Sequence, residues 1–177
     1  MRTVFKYFSY IILFNIIFVL FFPKEQLFYK IVNTAYENKI YAKDYKLIDD
    51  LTQITINDCD IIYDGIKIVQ IKKINAKLFF IYNNINIKNI EIDKSFNTFI
   101  PSTIYSINLK YNIFNPLSVK GIIKSKLYSI KIDFDILNMK INAIFKTSKF
   151  FRLKYKKIIK ELKYDKNIKD YTYEYKL

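Results

Sequence analysis

Carboxylates are the groups in this chain with the most obvious capacity for chemistry. Asp58 and Asp60 share a strand face by period, Asp133 and Asp135 do the same, and Asp49-Asp50 form a third pair. Glycoside hydrolysis needs two carboxylates across a cleft, one acting as acid and the other as base or nucleophile. Neighbours two apart on one wet face, interleaved with lysines, are instead ordinary solvated positions. None of the pairs has the spacing and glycine of a calcium loop. There is no histidine, and Cys59 is the one cysteine. Ser-His-Asp and Cys-His catalysis, histidine-ligated metals, internal disulfides and cysteine zinc sites are therefore excluded. Cys59 falls in a strand pattern with no base beside it, so it reads as packing. The two glycines, Gly65 and Gly121, leave no phosphate-cradling loop and no dinucleotide fingerprint. The expectation is a protein that is not an enzyme, with no catalytic, cofactor-binding or metal-binding residues.

The charge has to be weighed against the codon bias. Lys+Arg number 30 against 16 Asp+Glu, a formal charge of +14 over 177 residues, yet arginine occurs only at Arg2 and Arg152. Isoleucine (34), Asn, Phe and Tyr (16 each) and lysine are all encoded by A/T-rich codons, so the lysine excess is partly compositional. Tyrosines interleave with lysines at Tyr41, Tyr45, Tyr155, Tyr164, Tyr171, Tyr173 and Tyr175, as in grooves that bind single-stranded nucleic acid. The same bias produces this interleaving, and arginine, the preferred reader of bases and phosphates, is nearly missing. Nucleic acid is not an expected partner.

Positioning elements begin with an apolar run from Tyr7 to Phe22, broken only by Ser9 and Asn15, preceded by Arg2 and Lys6 and ended by Pro23 and Lys24. Counted from Thr3, with Lys6 reaching to the interface, this run is long enough for one bilayer crossing. Signal-peptide cleavage needs small residues after the run. Here it ends Val-Leu-Phe-Phe-Pro, so an uncleaved anchor is expected. The short basic tail places the N-terminus in the cytoplasm and the following domain across the membrane. Beyond Pro23, Leu27, Phe28, Ile31, Val32 and Ala35 trace one helical face. Packing of that stripe on the protein's own sheet is the more frequent outcome, with the bilayer surface as the alternative.

From about residue 40 the period changes to two. Tyr105 to Ile113 and Tyr128 to Ile136 alternate apolar and polar without exception, and Ile74, Ala76, Leu78, Phe80 and Tyr82 form a third such run. These are strands with one dry and one wet face. Asp64-Gly65 is a two-residue hairpin signal, and Asn83-Asn84 and Asn115-Pro116 mark further turns. One-residue phase slips at Ile68-Val69, between Ile87 and Ile90, and at Ile136-Leu137 suggest β-bulges. Phe151, Tyr155, Ile158, Ile159 and Leu162 then trace a helix with Ser148 as its cap and Arg152, Lys156, Lys160 and Lys163 on its other side. Such a helix either closes one end of the sheet or meets a membrane. Tyr171, Tyr173, Tyr175 and Leu177 end the chain as a strand. The expected fold is mainly β. One N-terminal transmembrane helix (1–23) and a short amphipathic helix or linker (24–39) precede a β-rich domain (40–177). That domain is a curved antiparallel β-meander with a C-terminal basic helix.

The order of these elements carries a resemblance. A span ending Phe-Pro-Lys-Glu is followed by a short helix, then Ile54-Thr-Ile-Asn-Asp-Cys-Asp-Ile-Ile-Tyr-Asp-Gly65, then a strand ending Leu78-Phe-Phe-Ile-Tyr-Asn83. Ile85-Asn-Ile-Lys-Asn-Ile90, Pro101, Asn115-Pro-Leu117 and Gly121 follow. In hydrophobic pattern and punctuation this resembles type II secretion system protein N and its relatives, over residues 5–177. The resemblance implies a single-pass inner-membrane protein, anchored through residues 7–22, with a periplasmic β-domain. It would be a non-enzymatic accessory of a secretion or pilus-like machine, acting through contacts with secretion or pseudopilus inner-membrane proteins. The same shape also looks like envelope lipid-handling proteins, in which a curved sheet holds acyl chains on its apolar face. A face lined by Ile130, Ile132, Phe134 and their neighbours and left open favours lipid, whereas a closed sandwich favours a protein partner.

Overall fold

The structure, a computed structural model, describes residues 2–79, 81–96 and 100–176. Two helices lead into the sheet. Helix α1 (Arg2–Phe21) has no polar stripe, so it has no particular face to turn towards a core. Its side chains from Thr3 to Phe14 are exposed without exception. The Asn15 amide is satisfied locally, donating to the Ile11 carbonyl at 2.8 Å. Among the described residues no helix is long and apolar enough to cross a membrane.

Helix α2 (Lys24–Glu37) starts directly after Pro23, where the missing N–H costs nothing. It packs on the sheet, but it is rotated from the orientation expected of its stripe. Lys24, Phe28, Val32 and Ala35 turn inward, while Leu27 and Ile31 stay exposed. The pivot is Lys24, which is buried with its ammonium 3.4 Å from Asp49 Oδ1 and donating to the Leu51 carbonyl at 3.4 Å. Phe28 then meets Tyr45 edge-on, and Tyr36 meets Tyr41, with ring centroids 5.3 and 4.6 Å apart.

The strands are β1 (Ile40–Lys43), β2 (Lys46–Asp49), β3 (Gln53–Tyr63), β4 (Ile66–Leu78), β5 (Tyr82–Ile92), β6 (Thr103–Asn112), β7 (Ser118–Lys124), β8 (Tyr128–Asp135) and β9 (Lys140–Thr147). Helices α3 (Lys149–Lys154) and α4 (Lys156–Glu161) follow, then β10 (Lys163–Asp165) and β11 (Asp170–Lys176). All eleven strands form one antiparallel sheet in the order β1-β3-β4-β5-β6-β7-β8-β9-β11-β10, and β2 shares the β3 edge with β1. The ends of this order do not pair, so the sheet is open. From β3 to β9 each strand pairs with the next, as expected of a meander.

Several local expectations change. Asp64 and Gly65, at φ 49 and 84°, make the expected tight turn between Tyr63 and Ile66, the mirror-type geometry that asparagine, aspartate and glycine tolerate. Asn83 and Asn84 lie inside β5 rather than in a turn, but Asn83 Oδ1 accepts from the Phe79 N–H at 2.9 Å and so braces the turn before it. The strand expected over 74–82 stops at Leu78, and Phe80 lies outside the described residues. The Ile68-Val69 slip is a bulge: Val69 pairs Ile61 and Lys67 pairs Ile62, which leaves Ile68 over. Ile136-Leu137 is not a bulge but the turn between β8 and β9. The C-terminal helix is two six-residue helices broken at Tyr155, although Ser148 caps the first as expected, its Oγ accepting from Phe151 N–H at 3.1 Å. Leu177 lies outside the described residues.

The third slip, between Ile87 and Ile90, belongs to a larger feature. Asn89 takes a φ of 53° and Asp58 one of 52°, yet no residue is inserted, because the pairings on either side stay in register. Asp58, Lys72, Asn89 and Tyr105 occupy the same row of β3, β4, β5 and β6. In β3, β4 and β5 two consecutive residues therefore take the polar side: Asn57-Asp58, Lys72-Lys73 and Lys88-Asn89. The apolar phase jumps by one in these three strands together. Ile56 and Cys59 are accordingly both buried although three apart. The result is a crimp across the sheet that keeps one side apolar from end to end.

Candidate functional site

The carboxylates form no acid/base pair. Asp58 lies 3.6 Å from the Lys72 ammonium, and Asp60 is held by Lys67. Asp133 accepts from the Ser118 hydroxyl at 2.5 Å. Asp135 accepts from the Asn138 backbone and side chain at 3.0 and 2.8 Å, and these hydrogen bonds hold its carboxyl below the usual range. Asp49 pairs with Lys24, and Asp50 accepts from the Gln53 amide at 3.4 Å. Each pair is thus spent on a lysine or a turn. Among the described residues no group of three His, Cys, Asp or Glu side chains could hold a metal ion. Cys59 is a free, buried thiol. Burial pushes it up to about 11, with the Asp60 charge adding to the shift, so it is protonated at neutral pH and a poor nucleophile.

What the strands do bring together is an apolar surface. Antiparallel partners share a face, so the register sets the rows. One row runs through Ile54, Ala76, Ile85, Leu109, Gly121 and Ile132 and continues to Ala143 and Tyr173. The next runs through Ile56, Ile74, Ile87, Ile107, Ile123 and Ile130. Phe134, Val119 and Tyr111 belong to the row beyond. The opposite face carries Lys73 and Lys88, the amides of Asn75, Asn86 and Asn108, and further on Lys120, Lys131 and Asp133.

The apolar face is covered only at its margins. Helix α2 lies against β1 and β3, where Ile54, Ile56 and Cys59 are buried. At the other side Tyr128, Phe151 and Tyr155 form a cluster joined by Ile123, Leu127 and Ile130, with ring centroids 5.1 and 4.9 Å apart. The expected closing of one end of the sheet by the basic helix is therefore present, made by α3 and α4 together. Beside it, Thr103, Tyr105, Leu127, Phe150 and Tyr155 line a cleft of about 470 Å³, with Lys154 at its edge. Between these margins, among the described residues, no second sheet or helix lies over the face. Leu109, Ile107 and Ile132 are only half-buried there. Gly121 sits at the centre of its row. A Cβ there would come within 2.9 Å of Leu109 Cδ2, so the missing side chain lets Leu109 lean across β7.

No family matches. Neither a protein-family model, a curated protein nor a solved structure matches the chain. The resemblance to type II secretion system protein N rests on the order of hydrophobic elements and their punctuation. The crimp was not anticipated from the sequence. Its signal was present as three polar doublets, Asn57-Asp58, Lys72-Lys73 and Lys88-Asn89, each breaking the alternation of a long strand.

Proposed function

We propose that this chain is a membrane-anchored, non-enzymatic lipid-binding protein whose open sheet face takes the acyl chains of a lipid. The single observation that carries the reading is that face: isoleucine-rich, continuous across eight strands and the crimp, and left without a second layer. Contiguous apolar surface of this kind marks binding sites on proteins, and Ile107, Leu109 and Ile132 at its middle are only half-buried. Small residues along one row, Ala76, Gly121 and Ala143, suit a sheet curving toward that side. Exposed lysines at the far margin, including Lys154 and Lys126, suit lipid phosphates.

Anchoring through residues 7–22 is part of the same reading. A helix of 20 residues is about 30 Å long, the thickness of a hydrocarbon core. The side chains of α1 from Thr3 to Phe14 are exposed. The inner membrane, with the N-terminus in the cytoplasm and the sheet in the periplasm, is the location this implies for a bacterial envelope protein.

The test is affinity purification of tagged full-length protein from gently solubilised membranes, with lipids and proteins identified by mass spectrometry. The expected result is a specific lipid retained above the bulk membrane mixture. Stoichiometric recovery of secretion or pseudopilus components without such a lipid would overturn the reading in favour of the accessory role.

A further inference from the structure

The two ends of the sheet differ in a way the open face does not require. At one end lie 50–52, the described residues Phe79 and Ile81, 113–117 and 136–139; at the other lie Asp64-Gly65, the described residues 93–96 and 100–102, 125–127 and the segment from Ser148 to Lys169. The first set carries large apolar side chains at its tips. Phe114 is 83% exposed, Leu137 71% and Leu51 64%, and Ile81, Leu117 and Met139 are also exposed. Segments 79–82, 113–117 and 136–139 contain no charged residue. Turns facing water are normally built from polar residues. The opposite end also exposes apolar side chains, Ile100, Phe150, Leu153 and Ile168, but sets them among charges: Asp93 and Lys94, Lys149, Arg152 and Lys154, and Lys166 and Lys169. Its exposed Tyr63 and Ile66 flank a charged turn.

The apolar end is also the end at which α1 arrives. The buried Lys24, two residues after Phe22, is tied to Asp49 and to the Leu51 carbonyl. This fixes the foot of α2 at the first of the four turns. A helix apolar on every side and four turn tips that are mostly free of charge thus meet at one end of the molecule.

We infer that this end is a membrane-docking rim: the four turn tips enter the interfacial layer of the bilayer beside α1, so the strands stand on the membrane. Apolar and aromatic side chains at that depth gain burial without placing a charge in lipid. The apolar face begins directly above the tips, at Tyr111, Val119, Phe134 and Ile141. An acyl chain can then pass from the bilayer to the sheet without crossing water. The inference rests on the anchoring proposed above and gives the lipid its route of entry.

The chain has no tryptophan, so single tryptophans report depth without background. Full-length Phe114→Trp, Leu137→Trp, Phe14→Trp and Ile66→Trp are reconstituted in phosphatidylcholine/phosphatidylglycerol vesicles with or without brominated acyl chains. Far-UV circular dichroism checks that each is folded. The expected result is blue-shifted emission, lost in brominated vesicles, at positions 14, 114 and 137, with unshifted and unquenched emission at 66. Quenching at 14 but not at 114 and 137 would overturn the rim while leaving the anchor standing, and would be the outcome if these tips hold a protein partner. No quenching at 14 would remove the anchor, and the rim with it. Equal quenching at 66, 114 and 137 would also overturn the rim, since the sheet would then lie flat.

Discussion

Ile132→Lys places a charge in the middle of the open face. Its cross-strand neighbours are Gly121 and Ala143, so the new side chain has room, and nothing among the described residues lies above it. Full burial of an isoleucine is worth about 2 kcal/mol. Ile132 is half-buried, so the lipid-free protein should lose about 1 kcal/mol, offset in part by the lysine stem lying along the sheet. The lipid-loaded protein should lose far more. An ammonium in contact with acyl chains must clear them from its surroundings, and each methylene returned to water costs about 0.8 kcal/mol. Clearing about three removes about 2.4 kcal/mol, a roughly 50-fold loss of affinity. The assay is displacement of a fluorescent fatty-acyl probe from the delipidated full-length protein in mild detergent, with a thermal melt to follow the fold. Asn142→Lys is the control, since Asn142 is exposed on the opposite face and pairs with Asp133; it should bind the probe like the parent. If Ile132→Lys melts normally and binds equally well, acyl chains do not lie on this face and the argument fails.

Other outcomes follow from the margins. Phe151→Ala should cost about 3 kcal/mol, because Phe151 is 2% exposed between the rings of Tyr128 and Tyr155. Hydrogen exchange should show α3 and α4 losing protection before β5, and simultaneous loss would mean that the cluster does not hold these helices separately. Stability should fall as pH rises from about 9 to 11, because buried Cys59 keeps its proton up to about 11 against an ordinary 9.0. The native state then binds more protons than the unfolded one, and the cost by pH 11 is about 2 kcal/mol. Urea midpoints at pH 8 and 10.5 measure this, and Cys59→Val should flatten the difference; an unchanged slope would place its origin elsewhere, with Tyr128, raised by burial to about 12, the next group to test. Lys24→Ala should cost about 2 kcal/mol and Lys24→Met about 1 kcal/mol, since methionine refills the buried volume. Equal urea midpoints for the two variants would show that packing at this site contributes little.

The alternation of Tyr105 to Ile113 and Tyr128 to Ile136 made β6 and β8 legible, because a sheet with one wet face writes its period directly into the sequence. The meander was legible for the same reason, since short connections force sequential strands to pair. Other features lay beyond local pattern. The rotation of α2 depends on Lys24 finding Asp49, which lies 25 residues away and follows no periodicity. The break at Tyr155 arises because Tyr155 is drawn into the aromatic cluster at a backbone φ of −108°. The lysines near the carboxylates were legible as well, and Asp49, Asp58 and Asp60 each lie beside one. The open face was not, since alternation is the same whether or not a second layer covers it. The apolar turn residues were not legible as turns, since Ile136-Leu137 reads as a bulge and Ile113 as the end of a strand. They could gain meaning only once register showed that they share one end.

An open sheet has edges as well as a face, and edges are where chains add to one another. Here both are blunted. The β3 edge is covered by β1 and β2, which are interrupted between them at Asp44, in a left-handed conformation with φ 55°. The other edge is β10, only three residues long. Neither offers the long, flat, unpaired strand that templates fibrous growth. A protein of this composition, dense in isoleucine and asparagine, would otherwise risk stacking copy on copy. With its margins shortened in this way, the sheet gives another copy little backbone to pair with.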